Sequence, residues 1–331
     1  MNWELIFWNA LYTAINAGAA SYCIVASGLN VHVGYTGLLN FGQAGFAAVG
    51  AYAFAIAIAN YDWHWYFALP LVFGASLLLS LLLGMPTLRL RADYLAIVTI
   101  AAAEIIRYFL NTTRFTWLTG GTDGKNGWTD FFQDLNPWVN DDRFRLGAQS
   151  FDGYRLFMMV LGWSLVVIIA VFVWALMRSP WGRVLKSIRE DEDAARALGK
   201  NVILFKMQSL MLGGLIGSIG GLMLSAQTQA ATPGQFATTL TFYAFTIMVL
   251  GGSGRVKGPI FGTVIFFFVI QFVDNLLEQT TFNNKLPDWL IDTNNFGVVK
   301  LVVAGLVLAG LVVFRPQGIF GDRREQVFDV R

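Results

Sequence analysis

The sequence predicts an all-α polytopic membrane protein, and three observations carry that prediction. Of its 331 residues, 56% are hydrophobic and 13% charged, against about 25% charged in an ordinary soluble domain. A single soluble core in a chain of this size cannot cover that much apolar surface. Apolar runs of about 20 residues, long enough to cross a hydrocarbon core, recur along the chain. The Lys and Arg residues between these runs gather in alternate connections, as the cytoplasmic bias of basic residues requires. The same composition excludes other classes. Low charge with high apolarity is incompatible with disorder, and a net charge of +2 without a basic stripe argues against a nucleic-acid binder. The single cysteine, Cys23, leaves no partner for an intrachain disulfide.

The first run begins near Leu5 and continues to about Leu29. Met1–Phe7 holds Glu4 and no Lys or Arg, so it lacks the basic region of a cleavable signal and reads as a retained span. Further runs cover 40–60, 66–84, 92–111, 154–177, 203–227, 235–251, 258–279 and 297–314, about nine in all with a range of eight to ten. The 235–251 run is diluted by Thr238, Thr239, Thr241 and Thr246. With nine spans, one side collects Arg89 and Arg91, then Arg178, Arg183, Lys186, Arg189, Arg196 and Lys200, then Arg255 and Lys257, and finally Arg315, Arg323, Arg324 and Arg331. That is 14 of the 23 basic residues. This side is expected to be cytoplasmic, with the N-terminus outside. The opposite side takes the connection 112–153, where Asp123, Asp130, Asp134, Asp141, Asp142 and Asp152 outnumber the basic residues. The expected organisation is therefore a membrane domain over 1–321, with an outer loop at 112–153 and a cytoplasmic loop at 178–202, followed by a cytoplasmic tail at 322–331.

Enzyme constellations do not emerge. His32 and His64 have no ligand-spaced partners, whereas a zinc site takes three or four ligands; each reads as a packed or interfacial histidine, and no metal or cofactor is expected on the chain. Gly124-Lys125 and Gly199-Lys200 are each followed by Asn, so neither completes a phosphate-binding P-loop. An ATP-driven motor would be another polypeptide. Gly213, Gly214, Gly217, Gly220 and Gly221 fall at spacings that let helix backbones approach closely in a bilayer, which predicts a tightly packed internal helix.

Three further features carry functional expectations. Between Gly34 and Gly45, four glycines with Thr36, Asn40 and Gln43 interrupt an apolar stretch. Two readings fit: a loop at the membrane surface, or a discontinuous helix whose backbone groups face protein or a cavity. Glu104 and Arg107 lie one turn apart inside the 92–111 span; charges at that depth face the protein interior or a polar path, and at this spacing they also neutralise each other. In the connection after 178, Pro180 and Gly182 are expected to stop the preceding helix. Ser187 with Glu190 fits a capping box, Glu190–Asp193 suit a helix first turn, and Gly199 suits its end. The result is a short cytoplasmic helix over 185–199, presenting the small apolar face of Ala194, Ala195 and Leu198 to a partner's groove, or simply a solvated connector.

At this point the residues resemble a known family. Gly28-Leu29-Asn30, Val33–Gly37 and Phe41–Phe46 look like the N-terminal signature of the branched-chain amino acid ABC transporter permeases. Leu88–Thr99 with Glu104–Arg107, Leu118–Gly124, Ile188–Glu192 with Ala197–Gly199, Val249–Gly254 with Gly258-Pro259, and Phe314–Gly318 are similar to its LivM branch. The likeness runs from about 28 to 321. It implies a permease subunit of an importer in the bacterial inner membrane, without an ATPase site of its own. The implied partners are a second homologous permease, two ATPase subunits that bind ATP, and an extracytoplasmic solute-binding protein. The resemblance makes the 185–199 helix the coupling element, with Arg189, Glu190, Asp191, Ala194, Ala195, Leu198 and Gly199 as its candidate residues. Gly34, Tyr35, Thr36, Gly37, Asn40 and Gln43 are the candidate substrate path. Gln43 departs from the His that relatives often carry there, which bears on ligand choice: related permeases move urea or short amides. A secondary carrier or a channel is the alternative from another class.

Overall fold

The computed structural model describes residues 2–88, 92–138, 143–147 and 149–282, together with parts of 302–320. In chain order the helices are α1 (Trp3–Ile15), α2 (Ala17–Leu29, continued by a π-helical turn Asn30–Tyr35), α3 (Gln43–Tyr61), α4 (Trp65–Thr87) and α5 (Ala92–Asn111). The short helices α6 (Thr116–Thr119) and α7 (Asp130–Asp134) and the hairpin β1 (Arg143–Leu146) and β2 (Gln149–Asp152) follow. Then come α8 (Gly153–Arg178), α9 (Pro180–Glu190), α10 (Glu192–Ala197), α11 (Val202–Thr228), α12 (Thr238–Gly251) and α13 (Lys257–Phe282).

Six helices among the described residues are long and apolar enough to cross a membrane, and the bent pair Trp3–Ile15 with Ala17–Tyr35 makes a seventh. α12 is shorter, at 14 residues. The ninth expected span, 297–314, and the tail at 322–331 lie largely or wholly outside the described residues, as do Arg89 and Arg91. The first run differs from expectation: it is bent by 45° rather than continuous. Asn16 explains the bend. Its backbone is extended (φ −66°, ψ 174°) and its side chain accepts a hydrogen bond from the Ala19 amide at 2.8 Å. A short polar side chain competes with the helix for backbone donors and so starts a new one.

Of the four basic groups read from the sequence, the two within the described residues share one end of the molecule. At one end, the Arg189 guanidinium donates to the Gly34 carbonyl, and Asn30 bridges the Arg255 carbonyl (3.0 Å) and the Gly254 amide (2.8 Å). This basic end gathers the 178–200 and 252–257 connections. At the other end, the Asn2 amide meets Gln279 at 2.9 Å, Asn60 meets the Trp117 carbonyl at 2.9 Å, and Lys125 pairs with Ala231. The acidic 112–153 connection, with its hairpin, lies there.

α11 is the internal helix its glycines predict. A methyl group placed on Gly221 would lie 2.1 Å from the Ala47 carbonyl oxygen, and one on Gly217 would lie 2.3 Å from the Gln43 amide nitrogen. Only hydrogen fits at these contacts with α3. The outer helices α4, α5 and α8 instead expose apolar side chains such as Leu78, Leu82, Ile105, Val167 and Ile168. In a bilayer these faces meet lipid tails.

Candidate functional site

The Gly34–Gly45 stretch is a discontinuous helix. After the π-helical turn, Gly37 adopts a left-handed backbone (φ +75°) that a side chain disfavours. The chain then runs without helical structure through 38–42, and α3 begins at Gln43 abreast of Gly28, already inside the bundle. Irregular backbone at this depth persists only where protein satisfies its polar groups, and here polar side chains do so. The Phe41 amide donates to Thr99 Oγ1 (3.0 Å), the Gly42 amide to Asn40 Oδ1 (2.8 Å) and the Ala44 amide to Thr241 Oγ1 (2.9 Å). Gln43 donates to the Gly213 carbonyl at 3.1 Å, and Thr36 bonds the Val31 carbonyl (2.9 Å) and Ser209 (2.6 Å).

His32 organises this network. Asn40 Nδ2 lies 2.9 Å from Nδ1 of the ring, and the Leu210 carbonyl lies 3.1 Å from Nε2. The amide must donate to Nδ1 and the carbonyl must accept from Nε2–H, which assigns a neutral imidazole protonated on Nε2. His32 is thus the packed histidine expected. Its role in sealing the break was not legible, because both partners are carbonyl or amide groups that composition does not distinguish.

Of the candidate path residues, Gly34, Tyr35, Thr36, Asn40 and Gln43 are buried and Gly37 is exposed. Thr36, Asn40 and Gln43 spend their polar groups on the break itself. They sit in the interior rather than on an accessible wall of this chain, because unsatisfied amides in a dry environment cost several kcal/mol each, of the order of 2–7.

A second break faces the first. From the hairpin end the chain re-enters through Gln229 (φ +58°) and a 3₁₀ turn at Pro233–Phe236, and α12 starts at Thr238. Glu104 caps that start: its Oε1 accepts from the Thr238 amide (3.3 Å) and from the Thr238 hydroxyl. Its Oε2 takes Arg107 Nη2 at 2.7 Å and Nε at 2.8 Å. The Glu104–Arg107 pair read from the sequence is formed, with side chains 27% and 23% exposed. The capping role was missed, the only sequence signal being the threonines that dilute the 235–251 run. The Ala44–Thr241 bond joins the two starts, and Phe41 stacks on Phe245 with centroids 4.2 Å apart. Two helix N-termini approached from opposite ends, and so two partial positive charges, therefore meet inside the bundle.

The connection after α8 departs from expectation in three ways. Ser179, with extended backbone (ψ 168°), ends α8, while Pro180 opens α9 and the buried Gly182 packs inside it. Proline lacks the amide that a first-turn position leaves unbonded anyway. Ser187 does not cap: its hydroxyl donates to the Val184 carbonyl within α9 (2.8 Å). Asp191 caps instead, accepting from the Ala194 amide at 2.9 Å. The expected 185–199 helix is consequently two helices with a corner at Asp191. Finally, Ala195 is 2% exposed, packed with Ile188 and Val202 rather than presented outward. An amphipathic two-turn helix spends its small residue on its own scaffold when a neighbouring helix lies beneath it. Glu190, Asp191, Ala194, Leu198 and Gly199 are exposed, Leu198 at 79%. Glu192 pairs with Arg196 within α10 (2.9 Å) and ties the helix to Lys206 of α11. Arg189 points the other way, onto Gly34 and against Gly37, where an added methyl would touch its Cγ at 3.2 Å.

Comparison with known proteins gives this geometry a family. The family described as branched-chain amino acid transport system / permease component matches residues 11–313. The chain belongs to that family. The permease is 29% identical over 316 residues to the high-affinity branched-chain amino acid transport system permease protein LivM of Salmonella typhimurium, covering 92% of this chain and 69% of the relative. It is 26% identical over 337 residues to the probable branched-chain amino acid transport permease protein LivM of Methanocaldococcus jannaschii, covering 89% and 91%. It also matches the autoinducer 2 import system permease protein LsrC of Photorhabdus laumondii, at 27% identity over 62% of this chain and 60% of the relative. The matched region takes in both breaks of the permease and the α9–α10 corner. Among the described residues no group of three or more His, Cys, Asp or Glu is placed to hold a metal ion.

Proposed function

We propose that this permease is one membrane subunit of an ATP-driven importer of branched-chain amino acids in the bacterial inner membrane. Its partners are a second homologous permease, two ATPase subunits that supply the P-loop this chain lacks, and a solute-binding protein docking on the 112–153 side. Relatives named for branched-chain amino acids align over 92% and 89% of the chain, against 62% for the autoinducer 2 permease, which supports that substrate class.

The observation that carries the mechanism is the Arg189 contact. Arg189 belongs to α9, whose corner with α10 presents exposed Glu190, Asp191, Ala194 and Leu198. Its guanidinium ends on the Gly34 carbonyl, where the first break begins. A push on the α9–α10 corner by an ATPase reaches the break through one side chain. The break serves as the hinge of alternating access, and the seam between α5 and α12 beside it serves as the path. That seam holds the half-buried Glu104 and Arg107, with Phe41 and Phe242 along it (ring centroids 5.9 Å apart). Carboxylate and guanidinium complement an amino-acid zwitterion, and the rings complement a branched aliphatic side chain.

The test is uptake in proteoliposomes holding the full complex, with leucine, isoleucine, valine, urea and acetamide as substrates. ATP-dependent uptake of the three amino acids is expected. Arg189→Ala is expected to lower uptake at least tenfold while ATP hydrolysis continues, and Arg189→Lys to restore part of it. Flux without ATP would mark a channel or carrier. Uptake confined to urea or acetamide would overturn the substrate class. Unchanged coupling in Arg189→Ala would remove Arg189 from the mechanism.

A further inference from the structure

At the basic end, α8, α9 and the turn between α12 and α13 enclose a cleft of about 490 Å³. Arg178, Lys186, Arg255 and Lys257 line it together with Trp174 and Tyr35, and none of its described lining residues is acidic. The four cationic residues are all exposed. Like charges converging on one opening raise a positive potential there, and an anion lowers its energy by entering. Arg178 is also held in place, its guanidinium 4.1 Å from the Trp174 ring centroid. Tryptophan at the end of a membrane helix belongs to the level of the lipid headgroups.

What chooses among anions is the surface leading into the cleft. Val167, Val171, Trp174 and Arg178 recur at helical spacing along one face of α8. Val167 is 59% exposed, Val171 59% and Trp174 48%. An apolar track facing the bilayer thus ends in the basic cleft. An acyl chain lying along this face brings its headgroup to the cations, whereas a free inorganic anion contacts the cations alone. We propose that the cleft seats the phosphodiester headgroup of an anionic phospholipid, with its acyl chains along the Val167–Trp174 face of α8. Basic pockets between membrane helices suit such headgroups, and here the chain supplies both halves of the ligand's chemistry.

The test is native mass spectrometry of the full-length, delipidated permease, titrated with dioctanoyl phosphatidylglycerol and dioctanoyl phosphatidylcholine. The anionic phosphatidylglycerol is expected to bind at least tenfold more tightly. Lys186→Gln/Lys257→Gln is expected to cut that preference at least fivefold, and Arg143→Gln/Arg145→Gln, at the opposite end, to leave it within twofold. Equal binding of the two lipids by the unmodified protein would overturn the proposal, as would equal losses in both variants. Displacement of the bound lipid by equimolar inorganic phosphate would reassign the cleft to a free anion. If the double variant does not fold, the unmodified protein decides alone. Its preference is expected to shrink between about 0.05 M and about 0.5 M salt as screening shortens the field, and a preference that salt does not move would overturn the assignment.

Discussion

The two interrupted helices solve one problem with different chemistry. At the start of α3, the polar groups that receive the irregular backbone are neutral and fully buried: His32, Asn40 and Gln43 are each 0% exposed. At the start of α12, the cap is a carboxylate paired with a guanidinium, both about a quarter exposed. A dry site favours neutral amides and a neutral imidazole because an isolated charge there carries a large desolvation cost. A site at the edge of a seam tolerates an ion pair, since water or a polar ligand shares the solvation. One break is therefore a dry, neutral network, and the other a partly exposed ion pair.

The sharpest way to break this contrast is through the packing that makes the first site dry. Gly221→Leu would place its Cβ 2.1 Å from the Ala47 carbonyl, and backbone cannot move aside as a side-chain tip can. Loss of the monodisperse folded protein is expected, read by size-exclusion chromatography in detergent. Within the dry network, Asn40→Ala removes the acceptor of the Gly42 amide and the partner of His32 Nδ1. Two buried groups left unpaired, at about 1–3 kcal/mol each, should lower the thermal midpoint by several degrees. A midpoint unchanged within a degree would mean that water already reaches this site.

At the α9–α10 corner, Ala195→Trp overfills a packed position and is expected to cost about 1–3 kcal/mol, loosening the corner from α11. Leu198→Ala, one turn on and 79% exposed, should change stability by less than about 0.5 kcal/mol. ATP hydrolysis and uptake in the reconstituted complex check the pair: Leu198→Ala is expected to weaken coupling without weakening the fold. A small stability effect is also expected from Glu104→Gln, which keeps an acceptor for Thr238 while leaving Arg107 without its countercharge. Because Arg107 keeps a quarter of its side chain exposed, the loss should stay at about 1 kcal/mol. A fall in uptake far larger than that loss would sharpen the seam as the path, whereas parallel losses would make the pair structural.

Much of the architecture was legible from local composition. The 66–84, 92–111, 154–177 and 203–227 runs became α4, α5, α8 and α11 with bounds shifted by a few residues, because the solvent a helix needs is written in its own side chains. The bend at Asn16 was not legible because one polar residue hardly alters a window average, although it redirects the backbone. Asp191 rather than Ser187 caps because α9, opened by Pro180 directly after α8, runs on through Ser187 to Glu190 and leaves Asp191 at the next helix start.

The sequence by itself determined that the chain lives in a bilayer and which helix packs innermost through its glycines. Only the tertiary structure decided what each polar group is for. Ala44 meets Thr241, Asn30 meets Arg255 and Glu104 meets Thr238 across 197, 225 and 134 residues of chain. Apolar transfer is additive and local, so it can be read along a strand of letters. Hydrogen bonds are directional and pairwise, and inside a membrane protein their partners come from wherever the fold returns the chain.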